Sequence, residues 1–210
     1  MFKSPAILAV VLAAGVILFL PTLNDGFMVA PVQSVIFTRG TARWISSMDQ
    51  SAETAEMPAG RDAQRARVLL LSGPEHGIYL PVIRWAHGRS WPAALWTISV
   101  ARAGHRLVRT GERSFRLEVD SPGMLSGSWE LLLRKDTDLR KGERFQVGAL
   151  KVEIGDMLDG EIRGIEVGID LPLDSPCVWL LGWTGDGWAR IPAPAVGESV
   201  GLVPRRHPEG

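Results

Sequence analysis

Ser72 and His76 stand four positions apart in Leu71-Ser72-Gly73-Pro74-Glu75-His76-Gly77. A hydroxyl with an imidazole in reach is the pairing that nucleophilic acyl transfer needs. The serine closes an apolar run and precedes a loop and a helical pattern, where an α/β hydrolase keeps its nucleophile. Two features count against that chemistry. The Gly-x-Ser-x-Gly elbow is missing, and Pro74 withdraws a backbone N–H from any oxyanion hole. His76, His87 and His105 all offer a base, and the spacing does not choose among them. Hydrolase-like chemistry near Ser72–His76 is therefore an alternative function and not the leading one.

The remaining reactive side chains offer less. His76 and His87 would share a helix face, but about 16 Å apart along its axis. One ion cannot reach both, no His-Glu-x-x-His spacing occurs, and no metal site is expected. As a phosphate cradle the Gly73–Gly77 loop would set Glu75 against the anion. Cys177 is the only cysteine, which excludes an intramolecular disulfide and a cysteine zinc site. Its setting, Cys177-Val178-Trp179-Leu180-Leu181, is that of an inert buried thiol. No cofactor signature is present. Eight tryptophans stand against one tyrosine, which directs attention to rings as ligand platforms. Trp179 and Trp183 are even-spaced on one strand face, with Trp188 across the following turn. Such a row reads either as a stacking platform for a carbohydrate or other ligand, or as core.

Positioning these groups falls to short strands. Arg67-Val68-Leu69-Leu70-Leu71-Ser72 is the continuous apolar run of a strand buried on both faces. Tyr79 to His87, with Pro81 early and Gly88 just beyond, has the proline-in, glycine-out order of a short helix. Trp96, Ile98 and Val100 alternate with polar or small residues, as do Phe115, Leu117 and Val119. A three-residue loop, Thr110-Gly111-Glu112, pairs Phe115 with Leu107, whereas a two-residue loop sets it against Arg106. Ser128 to Lys135 reads as a second short helix. Phe145–Val147, Leu150–Ile154, Ile165–Leu171, Val178–Trp183 and Trp188–Ile191 complete the strands, with Thr184-Gly185-Asp186-Gly187 as a hairpin turn. The expected class is α+β: an N-terminal transmembrane helix, then a mainly antiparallel β sandwich or partly open barrel with one βα unit.

The membrane helix is expected from Pro5 to Leu23, which carries no charge. At ~1.5 Å per residue it spans about 28 Å, close to a bilayer's hydrocarbon thickness. A cleaved signal peptide is the rival, but Pro31 would follow directly on the cut. The expected organisation is an anchor over 1–23, an interfacial or second membrane-associated helix over 24–50 and a linker over 51–66. The β-rich domain follows over 67–204 and a tail over 205–210. By the positive-inside bias, Lys3 is expected to keep the N-terminus in the cytoplasm, with the domain on the far side of the membrane. Net charge is zero, which removes the bulk electrostatic case for nucleic acid. Residues 61–145 are net basic and 146–210 net acidic, so the two halves partly compensate.

Arg67-Val68-Leu69-Leu70-Leu71, Tyr79-Leu80-Pro81, Arg109-Thr110-Gly111-Glu112-Arg113 and Pro172-Leu173-Asp174-Ser175-Pro176 before a tryptophan strand carry a resemblance. Together they resemble the soluble C-terminal region of uncharacterised bacterial multi-pass membrane proteins, over roughly residues 27–200. The resemblance implies location in a bacterial inner membrane and assigns no activity, cofactor or site residue. The upstream helices of that pattern are lacking here. The expected function is a membrane-anchored protein whose β-rich domain mediates protein interaction or assembly. Its expected partners are membrane lipid and another membrane protein. A ligand or carbohydrate-binding module on the Trp179/Trp183 face is the third reading.

Overall fold

A computed structural model describes residues 57–202, apart from 75–76, 78–79, 81–82, 85–86, 102, 127–138 and 185–186. The chain divides into two units, Met1–Ser47 and Met48–Gly210, and every described residue belongs to the second. One helix has described bounds, α1 (Gly60–Ala63). The strands are β1 (Arg67–Ser72), β2 (Ala94–Thr97), β3 (His105–Arg109), β4 (Ser114–Val119) and β5 (Arg144–Val147), then β6 (Leu150–Leu158), β7 (Glu161–Gly168), β8 (Val178–Trp183), β9 (Trp188–Arg190) and β10 (Ser199–Leu202).

β1 is apolar on both faces and buries both. Leu69 and Leu71 enter one hydrophobic core, and Val68 and Leu70 enter another. A strand covered on both faces needs neighbours on both edges, and β1 takes β2 on one side and β8 on the other, each parallel to it. β9 returns antiparallel to β8, giving the order β2-β1-β8-β9.

The second sheet is antiparallel throughout, in the order β10-β3-β4-β7-β6-β5. Its inward residues alternate as a half-buried sheet requires: Leu107 on β3, Phe115 and Leu117 on β4, Ile165 and Val167 on β7. They share the larger core with Leu69, Leu71 and Leu180 of the first sheet. Arg67 crosses between the sheets to Asp170 at 3.0 Å.

The expected class is corrected in two respects. Strands make up 46% of the described residues and the one helix bounded among them has four residues, so the class is mostly β and not α+β. The first sheet is mixed and not antiparallel, because β1, buried on both faces, takes two parallel partners. No helix among the described residues is long and apolar enough to cross a membrane. The expected bacterial inner-membrane location, with an extracytoplasmic domain, is corrected accordingly. The segments 1–23 and 24–50 on which it rested lie outside the described residues, as do the helix expected at Ser128–Lys135 and the tail 205–210. Of the helix expected over Tyr79–His87, Leu80, Ile83 and Arg84 are described and have helical backbone. Within the span read as linker, Ala63 and Ala66 are fully buried.

The β3–β4 register also differs from expectation. Four residues, Thr110 to Arg113, form the loop, and Phe115 sits opposite Arg109. A core-facing arginine opposite an aromatic is tolerated because the guanidinium is saturated. It donates to both carboxylate oxygens of Asp174, at 2.9 Å to Oδ1, to Pro194 O at 3.0 Å and to Gly111 O at 3.1 Å. Arg109 is thus a cross-link between the β3–β4 loop, the segment before β8 and the segment before β10.

Candidate functional site

The expected serine site is closed. Ser72 is buried at the end of β1, and its hydroxyl has no hydrogen-bond partner. Beside it, a Cβ on Gly73 would fall 2.0 Å from the Trp188 ring, and one on Gly77 would fall 2.8 Å from it. The loop read as a phosphate cradle is therefore a saddle for a buried indole. His76 and Glu75 lie outside the described residues.

A hydroxyl–imidazole pair does occur elsewhere, between Ser99 and His105. The His105 Nε2 lies 2.8 Å from Ser99 Oγ, and Nδ1 lies 2.9 Å from the Ala103 carbonyl. A carbonyl can only accept, so Nδ1 carries the proton and Nε2 accepts from the serine. Ser99 Oγ in turn accepts from the Ala101 N–H at 3.2 Å. Burial holds the imidazole down to about 4, against partial opposition from the Ala103 bond and the charge of Asp120. The pair has the distance of a nucleophile and its base. Both residues are buried, however, and a backbone carbonyl occupies the orienting position that a triad gives to a carboxylate. It fastens the segment after β2 to the start of β3. Sequence reading offered His105 as a candidate base for Ser72 and missed its partner Ser99, which lies across an irregular loop.

The tryptophan row packs with the smaller core. Trp188 is buried with Val68, Leu70, Leu80 and Leu181, and Trp179 and Trp183 pack against that group. Trp183 meets Trp188 edge-on at 5.5 Å, and the Arg190 guanidinium lies 4.2 Å above the Trp179 ring. Trp188 offers no open face, and Trp179 has one already covered. Cys177 is a free, half-buried thiol. No cluster of three or more metal-binding side chains exists among the described residues.

Two of the large exposed apolar side chains, Phe145 and Val147, lie together on β5. Among the described residues this strand pairs only with β6, through a two-residue connection at Gly148-Ala149. In such a hairpin the residues flanking the turn exchange both backbone bonds, and the pattern alternates from there. The N–H and C=O groups of Arg144 and Gln146 therefore point away from the sheet. On the core-facing side, Phe145 is 40% exposed and Val147 60%. Of the four edge strands, β5 alone carries large exposed apolar side chains. Its other side continues a charged row, Arg144 opposite Glu153, then Glu166, then Arg116. A groove of about 570 Å³ runs over that face, with Ser114, Arg144, Gln146, Lys151, Glu153 and Glu166 on its walls. A smaller hollow of about 450 Å³ lies by Asp174, Arg190 and Pro192. Neither hollow is lined by Ser72, Ser99 or His105. No family model matches the chain, and neither a curated protein nor a solved structure matches it.

Proposed function

We propose that the β-rich domain is a protein-interaction module that receives an extended segment of a partner along β5. The observation that carries this is an edge without a partner strand among the described residues, with Phe145 and Val147 exposed beside it. Natural sheets usually blunt such edges with charge, proline or a covering segment, because outward N–H and C=O groups template another strand. Here Arg144 guards one end, and the outward N–H and C=O of Gln146 leave the ladder open. The alternative chemistry at Ser72 is less well supported, since its hydroxyl is enclosed by packed side chains. Panning a displayed library of random extended peptides against the full chain tests the proposal. Enriched peptides are expected to slow amide exchange at 144–147 and to lose binding to Phe145→Asp. Peptides that bind but protect other residues, or a library from which nothing is enriched, overturn it.

A further inference from the structure

We infer that the segment taken up by β5 alternates apolar residues with aspartate or glutamate. This rests on the edge-strand reading above and adds the chemistry of the partner. A strand laid beside β5 continues the pleat, so its side chains opposite Phe145 and Val147 fall on the apolar side of the sheet. Those opposite Arg144 and Gln146 fall on the charged side, because directly paired residues share a face. The first set meets two exposed hydrophobic side chains and requires apolar residues.

The second set meets a surface whose accessible charge is cationic. Arg144 bonds Glu153 at 2.7 Å, but its side chain is 78% exposed against 38% for the glutamate. Lys141 reaches Asp156 at 2.9 Å with exposures of 70% and 49%. Lys151, directly opposite Gln146 and exposed, makes no ion pair among the described residues. The carboxylates thus lie closer to the sheet and the cations extend beyond them. An incoming carboxylate opposite Arg144 or Gln146 meets these cations before it meets Glu153. A second copy of this chain would instead bring its own Arg144 and Lys151 to the same face, so like charges would meet. Charge complementarity therefore selects an acidic partner over self-pairing.

Short labelled peptides of equal length test this on the full chain by fluorescence anisotropy. The probes are alternating Val/Glu, Val/Ser and Val/Lys sequences, and a shuffled Val/Glu peptide in which alternation is lost. Alternating Val/Glu is expected to bind about tenfold more tightly than Val/Lys, with Val/Ser between and the shuffled peptide weak. Raising salt should narrow the gap. Lys151→Glu and Arg144→Gln, both at exposed positions, should remove most of it while Val/Ser binding stays constant. Equal binding of the three alternating peptides overturns the acidic partner and leaves the edge reading standing. Failure of all of them to bind or to protect 144–147 removes both. Concentration-dependent dimerisation of the chain alone, abolished by Val147→Lys, identifies a second copy as the occupant and also overturns the inference.

Discussion

A buried histidine with both ring nitrogens bonded stays neutral far below its ordinary range. For His105 that range shifts from 6.5 to about 4, mainly through burial. The unfolded chain takes up a proton as pH falls through 6.5, and the folded chain does so only near 4. Between those values the unfolded state binds more protons, so stability present above 6.5 is lost progressively as pH drops toward 4. A shift of this size corresponds to roughly 3 kcal/mol across the window. Urea unfolding of the wild type should show this slope, and His105→Gln should be less stable at neutral pH but nearly flat through the same window. An unchanged slope in the variant would assign the titration to another group. The carboxylates act in a separate, more acidic window. Asp174, Asp156 and Asp170 are depressed by their bonds to Arg109, Lys141 and Arg67 respectively. Their contribution is present above about 3.8 and fades as pH falls below it.

At the scale of elements, the loop after β1 is fixed by what it must accommodate. Gly73 has no Cβ because the Trp188 ring occupies that space. Gly73→Ala must push a buried indole out of its core position, and a loss of about 1–3 kcal/mol is expected. Gly201→Ala, where a Cβ meets nothing within 4 Å, serves as the control for chemical denaturation. Much of the element layout was legible because burial leaves a period in the sequence. Val178–Trp183 and its turn into Trp188 stand where their pattern placed them. β1 was readable as a strand buried on both faces, although nothing in its residues announced two parallel neighbours, one of them more than a hundred positions away. The turn Asp159-Gly160 was a missed signal. Both residues have positive φ, the geometry that Asp-Gly favours between paired strands, and it lets β7 begin at Glu161, four residues before the expected start. The β3–β4 register was misjudged because an arginine opposite Phe115 looks prohibitive until Asp174, sixty-five residues from Arg109, is known to satisfy it. The Ser99–His105 bond and the open β5 edge were hidden for the same reason. Each depends on which strands become neighbours, and periodicity within one strand does not specify that.

At the scale of the molecule, the two sheets make different demands on the chain during folding. Most pairs in the second sheet join segments close in sequence, through β3–β4 and the β5–β6–β7 meander. The first sheet forms only when β1 meets β8, closing a loop of roughly a hundred residues, an entropic cost that must precede any gain from the contact. The meander is therefore expected to organise early and the β1–β8 seam to zip last. Stopped-flow kinetics separate the two. Leu117→Ala, on β4, should slow refolding, whereas Leu181→Ala, on β8, should leave refolding nearly unchanged and speed unfolding. Each removes a fully buried leucine and should cost about 2–5 kcal/mol at equilibrium, so they differ in which rate carries the loss. The parallel seam then has a consequence during synthesis. β1 has β2 close behind it in the chain, but its other edge stays open until β8 follows about a hundred residues later. For that interval Val68 to Leu71 is the stretch of this domain most in need of a chaperone.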